Sequence, residues 1–221
     1  MSDARSRILE RLRQAAHQAP HYLNPLTDRE PEWQRRQPPM GDLAARFCEE
    51  QQKVGTKVLR VPDWQSLPGA VAPWFGEFRI KSAMTGDNPR LEPLRSHLAD
   101  RLGVQLHRYD RAVEEQKEEI FSVDCGITGS AGGLADTGSV LMVPTAQEPR
   151  LLSLAVPVHL VVVETALLFA TLGAYLDTGV YQADPPSNLV LISGASRTAD
   201  IELTLAVGVH GPKVFLVALV G

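Results

Sequence analysis

The sequence predicts an α/β fold: a layered, mainly parallel β-sheet flanked by helices, carried behind an N-terminal helical extension. Three observations predict it. Runs such as Val158–Val163 and Val214–Val220 are apolar without polar alternation, the pattern of strands buried on both faces. Segments of helical spacing alternate with those runs through the C-terminal half. Finally, 221 residues at 44% hydrophobic content are enough for one substantial core plus an appendage.

In chain order, Ile8, Leu12, Ala15 and Ala16 recur at helical spacing, with Leu9 alongside, among Arg5, Arg7, Arg11 and Arg13. This reads as an amphipathic helix with a solvated basic face. The polar, proline-bearing stretch from His21 to Gly41 has no periodicity and reads as a linker or wrapping arm, so the division falls into 1–40 and 41–221. Within the body, a helix is expected over Asp42–Val54, a strand over Lys57–Val61, and a short helix broken by Pro68 and Pro73. Next come a helix over Leu91–Leu102 stopped by Gly103, a strand over Val104–His107, a solvated helix in RAVEEQKEE, and a strand over Phe121–Thr128. Glu114, Glu115, Glu118 and Glu119 form an exposed face of that helix rather than a metal site. The remaining expectations are strands at Ser139–Val143, Val158–Val163, Leu189–Ser193 and Val214–Val220, with helices at Thr165–Leu176 and Thr198–Val207. His159, inside an apolar strand, reads as a satisfied core residue.

Composition excludes several function classes. A net charge of −4 argues against nucleic-acid binding, which needs clustered Lys and Arg to neutralise phosphates. Cys48 and Cys125 are the only cysteines, neither in a Cys-x-x-Cys pair, so the four thiolates of an iron–sulfur cluster are missing and a reducing cytosol is implied. MSDARSRILERLRQ lacks the apolar stretch of a signal peptide, which adds to the expectation of a cytoplasmic protein. The apolar run Leu151–Leu176 is long enough for a membrane span, but Pro157, His159 and Glu164 interrupt it, and a mid-bilayer carboxylate costs roughly 3 kcal/mol. No membrane span is expected.

Parallel sheets take ligands beyond the carboxyl ends of their strands, which directs attention to loops. Gly126–Pro144 is glycine-rich and can line a ligand with N–H groups, while Thr128, Ser130, Thr137 and Ser139 offer hydroxyls around Asp136 and Gly138. It lacks the Lys-Ser/Thr ending of a phosphate loop. Asp136-Thr137-Gly138 and Asp177-Thr178-Gly179 invite an aspartic-protease reading, but the second copy ends a helix-like segment with Gly179 as its cap, and the α/β pattern does not suit two β-rich lobes. In Leu189–Glu202 the predicted strand ends at Ser193, Gly194 allows a tight turn, and Thr198 would cap a helix carrying Asp200 and Glu202 in its first turns. Such a helix end is an anion site, to which Arg197 adds a carboxylate-binding fork beside Ser196. Asp200 would repel an anion there, so either Arg197 pairs with it structurally or Arg197 takes the anion while Asp200 holds a hydroxyl or ammonium group. In Val207–Lys213, His210 beside Gly211 is a candidate general acid or base, or a loop histidine bonded to backbone.

Taken together, GLADTGSVLM, the Pro-x-His-x-Val-Val step of PVHLVVV, and ISGASRTADIELTLAVGVHGP resemble the LUD domain of the lactate-utilisation protein C (LutC/YkgG) family over Leu91–Gly221. One departure is visible, Gly194-Ala195-Ser196 where the family usually has Gly-Pro-Ser. The resemblance implies a fold like the NagB/RpiA/CoA-transferase superfamily and a cytoplasmic accessory subunit that acts beside iron–sulfur proteins in oxidising L-lactate to pyruvate. It implies clusters on partner subunits and no cofactor or metal bound by this chain. No catalytic residue is agreed for the family; Asp136, Thr137, Gly138, Ser139, Ser193, Gly194, Ser196, Arg197, Thr198, Asp200, Glu202, His210 and Gly211 are pocket candidates for a small anionic ligand, with His210 the catalytic candidate. The alternatives are a free-standing isomerase or acyl/CoA-transfer enzyme on the same fold, for which Glu202 is a poor nucleophile, and a pure protein-interaction module.

Overall fold

The computed structural model describes residues 6–11, 13–14, 41–145, 148–179, 186, 188–199, 205–208 and 211–221. The chain divides into two compact units, Met1–Met40 and Gly41–Gly221. In the first, residues 6–11 and 13–14 are helical, with Ile8 and Leu9 exposed; the arm expected over His21–Gly41 lies, up to residue 40, outside the described residues.

The second unit is built on a six-stranded sheet in the order β1-β12-β7-β4-β2-β3, with every neighbouring pair parallel. These strands are β1 (Lys57–Val61), β2 (Ser82–Thr85), β3 (Gln105–Arg108), β4 (Cys125–Thr128), β7 (Val158–Glu164) and β12 (Val214–Val220). As the apolar runs require, β7 and β12 are central and almost wholly buried. On one face Leu160, Val162, Leu216 and Ala218 pack with residues of helices α2 (Leu67–Glu77) and α3 (Glu92–Leu102). On the other, Met84 packs with Ile120 and Val123 at the end of α4 (Val113–Ser122), and Thr128 of β4 touches Met142 at 3.9 Å.

Met142 belongs to a second sheet that the sequence reading did not contain, in the order β8-β5-β6-β9. Its strands are β5 (Gly132–Leu134), β6 (Val140–Met142), β8 (Leu168–Phe169) and β9 (Val190–Ile192). The glycine-rich stretch is therefore not one loop: β5 and β6 pair antiparallel within it, and β9 pairs antiparallel with β6. The strands predicted near 139–143 and 189–193 exist but leave the parallel sheet, and β9 is an edge strand with Leu191 exposed, not a buried one.

Other elements differ from expectation for identifiable reasons. The helix expected over Thr198–Val207 is a β-ribbon, β10 (Arg197–Ala199) against β11 (Leu205–Val207). The sequence does alternate there, with apolar Ile201, Leu203, Leu205 and Val207 separated by Glu202, Thr204 and Ala206, a period of two that outweighs the capping pattern. Thr165–Leu176 divides into a 3-10 turn, β8 and the short helix α5 (Leu172–Leu176), whose N-cap Thr171 accepts a hydrogen bond from Ala174 N. Gly179, at φ 73°, follows it as expected of a cap. Helix α2 runs unbroken through Pro73 because Pro68 sits in its first turn, where no N–H is needed, and Val71 and Phe75 anchor the turns around Pro73 in the core. Phe121 and Ser122 end α4 rather than starting β4; the switch to strand falls at Asp124, whose carboxylate accepts from the N–H groups of Lys81 and Ser82, 2.9 Å each, and so ties the starts of β2 and β4 together. Strand β2 (SAMT) has no apolar run and was not foreseen.

Among the described residues no helix is long and apolar enough to cross a membrane. The run 151–176 is spent on β7, β8, α5 and turns. Helix α1 (Leu43–Lys53) is capped by Asp42 and buries Ala44, Phe47 and Gln51, and Gly133 leaves room for the Phe47 ring. At the middle of the sheet, Gly126 of β4 faces the Leu152 carbonyl so closely that a Cβ would overlap it. Gly126→Ala is therefore expected to lower stability by about 1–3 kcal/mol or more through overpacking, read as an earlier urea midpoint at unchanged slope.

Candidate functional site

The structure gathers many of the predicted pocket residues at one corner, around the end of α1 and the turn into β1. Thr137 Oγ1 and Ser139 Oγ are 2.8 Å apart, and Ser139 Oγ lies 2.7 Å from Ser193 Oγ. This chain of hydroxyls joins the β5–β6 turn to the end of β9, with Ser139 buried beneath exposed Thr137 and Ser193. Gly138 takes φ 66°, and its carbonyl accepts from the Gln51 side chain; a Cβ there would lie 2.8 Å from Glu50 Cβ and 2.9 Å from Gln51 N. Gly194, at φ 138°, rests on the same turn, where a Cβ would meet Val54 at 3.0 Å and Thr56 Oγ1 at 3.6 Å. Asp136 Oδ1 is buried without a hydrogen-bond partner among the described residues.

Arg197 is exposed, and its guanidinium donates to the Val54 carbonyl, which closes the C-terminal end of α1. Because 197–199 is a strand, no helix N-terminus stands behind Arg197 and the dipole argument for an anion site does not apply. Among the described residues, the groups at this corner with donors for an anion are the guanidinium and the hydroxyls. Ser196 lies in the loop between β9 and β10; its N–H donates to the Pro212 carbonyl, 2.9 Å, and a Cβ on Gly211 would touch Ser196 Cβ at 3.1 Å. Asp200, Glu202, His210 and the side chain of Thr198 lie outside the described residues, and with them the Arg197–Asp200 alternatives.

Two residues of this corner were missed: Gln51, fully buried with Oε1 unpartnered, and Thr56, whose buried Oγ1 is also unpartnered among the described residues. A signal for Gln51 was available, since Ala44, Phe47 and Gln51 follow helical spacing and place an amide on the apolar face. Val54, Thr56, Pro212 and Lys213 all immediately precede or closely approach the amino ends of β1 and β12, so the corner sits at the opposite edge of the parallel sheet from the one the crevice rule favours.

A second polar group lies at the carboxyl edge and was also missed. Glu148 Oε1 accepts from Asn88 Nδ2 at 2.5 Å and Gly129 N at 2.9 Å, while Oε2 is buried without a partner among the described residues. Burial pushes this carboxyl above its usual range, against the opposing effects of Asn88, Gly129 and Arg95. Arg95, itself buried, donates to the carbonyls of Gly86 and Asn88 and fixes the loop that carries Asn88. Glu148 sits in the polar connector TAQEPR, where nothing in the sequence separates it from a solvated carboxylate.

Several other titratable groups among the described residues are engaged in the fold. Glu119 pairs with His107 and Arg111, as a surface helix face would. Cys125 is fully buried and its thiol is pushed up to about 12, and burial raises Cys48 as well; burial thus favours the protonated form of both, unlike the ionised thiolates that ligate a cluster. Among the described residues no group of three or more His, Cys, Asp or Glu could hold a metal ion. His159 is only half satisfied: Nε2 lies 2.9 Å from Thr128 Oγ1, but Nδ1 has no partner among the described residues.

Comparison with known proteins adds family evidence. The LUD domain model matches residues 44–220. An uncharacterized protein (NMB1437) of Neisseria meningitidis is 33% identical over 178 residues, covering 72% of this chain and 76% of its own length. Lactate utilization protein C of Deinococcus radiodurans is 31% identical over 157 residues, covering 70% and 69%, and that of Oceanobacillus iheyensis is 26% identical over 181 residues, covering 77% and 75%. In fold, a crystal structure of a DUF162 family protein from Deinococcus radiodurans aligns with a TM-score of 0.59 at 23% identity, covering 83% of this chain and all of that one.

His159 generates a pH prediction. Burial draws its imidazole down to about 3, whereas in the unfolded chain it titrates near ~6.5. Between those values the unfolded chain binds a proton that the folded one refuses. Its contribution is therefore complete above about pH 6.5 and lost as pH falls toward the folded value, at up to about 1.4 kcal/mol per pH unit. In urea titrations, His159→Gln is expected to flatten the stability profile between pH 6 and 4; profiles that stay parallel would contradict this.

Proposed function

We propose that this chain, which belongs to the LUD domain family, serves lactate utilisation as an accessory component that binds a small hydroxycarboxylate, while iron–sulfur proteins acting as its partners carry the electrons. Membership of the family and the naming of relatives as lactate utilization protein C support the physiological half. The two unsuitable thiols support placing redox chemistry on another subunit.

One observation carries the binding half. The hydroxyls of Thr137, Ser139 and Ser193 form a continuous chain beside the turn on which Arg197 rests. A guanidinium fork suits a carboxylate, and a serine hydroxyl can both donate to and accept from a ligand hydroxyl. The Val54 carbonyl holds the guanidinium in place before a ligand arrives, which reduces the ordering cost of binding.

Thermal-shift titration of the purified chain with L-lactate and pyruvate tests this reading. Ligand at about 100 times its dissociation constant adds roughly 2.7 kcal/mol. A shift is expected with L-lactate, abolished in Arg197→Ala and weakened in Ser139→Ala, each compared with its own ligand-free melting point. Arg197→Lys keeps the charge but loses the fork and should bind at least tenfold more weakly. Equal shifts in all variants would remove the corner from the account.

A further inference from the structure

At the amino edge of the parallel sheet, between the end of α4 and the segments that lead into β7 and β12, the surface opens into a groove of about 450 Å³. Phe121, Leu151, Leu154 and Val156 give it an apolar lining, and Gly208, Gly211 and Lys213 contribute from the side of β12. The lining is continuous with the core, because Leu151 and Val156 pack in the cluster of Met84, Ile120 and Leu152. At the same place apolar surface reaches solvent: Phe121 is 61% exposed and Leu154 37%. Phe121 belongs to a helix and Leu154 follows a 3-10 turn much later in the chain, so the fold and not a local run brings them together. Exposed apolar side chains scattered singly need no explanation, but several converging on a concave surface mark a place where something binds.

The groove also carries one sign of charge. Lys213 is exposed and is the one charged residue lining it among the described residues, where no acidic group pairs with it. Its stem is held in place by Gly208: at φ 78°, the missing Cβ of that glycine would lie 2.1 Å from Lys213 Cγ and 3.1 Å from Cδ and Cε, so the methylenes cross the backbone where any side chain would displace them. A stem packed in this way presents its ammonium at lower ordering cost. Gly211 is kept small from behind, where a Cβ would lie 3.1 Å from Ser196 Cβ.

We propose that this groove is a second ligand site, taking a small amphipathic anion: an aliphatic chain of medium length against Phe121, Leu151 and Leu154, ending in one carboxylate on the Lys213 ammonium. A neutral apolar molecule leaves that ammonium without a counter-charge, an amine is repelled by it, and a polyanion finds one cation where it needs several. The size of the groove falls in the range of roughly 300–1,000 Å³ usual for small-molecule pockets. A stable protein interface takes roughly 20–30 residues a side, whereas nine described residues wall this groove. The site does not depend on the Arg197 corner, whose guanidinium turns to the Val54 carbonyl.

The test is methyl NMR of the full chain, labelled at Leu and Val, titrated with octanoate below its micelle-forming concentration. Hexanoate, 1-octanol and octylamine are the comparators. The Leu151, Leu154 and Val156 methyl signals are expected to move and saturate, with octanoate binding at least tenfold more tightly than 1-octanol or octylamine. Hexanoate, two methylenes shorter, should bind roughly tenfold more weakly than octanoate. Lys213→Gln should bring octanoate down to the affinity of 1-octanol, and Leu154→Gln should weaken both; the two side chains are exposed, and unchanged methyl signals of the buried Leu152 confirm that each variant is folded. An absence of saturable movement, equal binding of octanoate and 1-octanol, or full octanoate affinity in Lys213→Gln overturns the site. So does a dependence of these signals on protein concentration alone, which would assign the groove to a second copy of this chain. Lactate has no aliphatic chain to fill the groove, and the readout is the groove's own methyl groups, so failure here leaves the reading of the Arg197 corner untouched.

Discussion

The structure depends on one constraint: an all-parallel sheet must be covered on both faces. Strands β7 and β12 can be largely apolar because α2 and α3 seal one side while α4 and, through Met142, the small second sheet lie on the other. The second sheet takes β5 and β6 from the connection between β4 and β7, and β8 and β9 from the connection between β7 and β12, and it fixes where polar loops may go. Its β5–β6 turn lands on α1, and the end of β9 lands on the turn into β1. The hydroxyl corner is a consequence of that covering layer.

Polar groups inside this packing are distributed unevenly. Asp124, at the amino edge, is well supplied with donors, and its carboxyl is held below the ordinary range by the backbone and side-chain bonds from Lys81 and Ser82, despite partial burial. Glu148, at the carboxyl edge, has donors on one oxygen only and is shifted the other way. The contrast separates a carboxylate that ties strands together from one that is left open. His159, on the strand β7 that β4 and β12 flank, shows how burial alone can hold an imidazole neutral.

Much of the architecture was legible because long apolar runs admit few interpretations. Strands β7 and β12, the stop of α3 at Gly103 with φ 64°, and the α/β order all follow from residues read in sequence. What was illegible has physical causes. Strand β5 is Gly132-Gly133-Leu134, which carries no strand propensity of its own and exists because β6 and β8 pair with it. Ribbon β10–β11 was hidden behind residues that also make good helix caps. For the site, Thr137, Gly138, Ser139, Ser193, Gly194 and Arg197 were named from their chemistry and do converge, but on Gln51, Val54 and Thr56, some 80 to 140 residues earlier in the chain, about which loop chemistry is silent. Glu148 and Asn88 meet only because β2 and β4 are neighbours, a fact of topology that no local pattern encodes.

The measurement that tests the central claim most directly is a crystal structure of this chain grown with L-lactate. The account predicts the carboxylate against the Arg197 guanidinium and its hydroxyl within hydrogen-bond distance of Ser193 or Thr137. A well-ordered lactate elsewhere, with the Thr137–Ser139–Ser193 chain untouched, would contradict it.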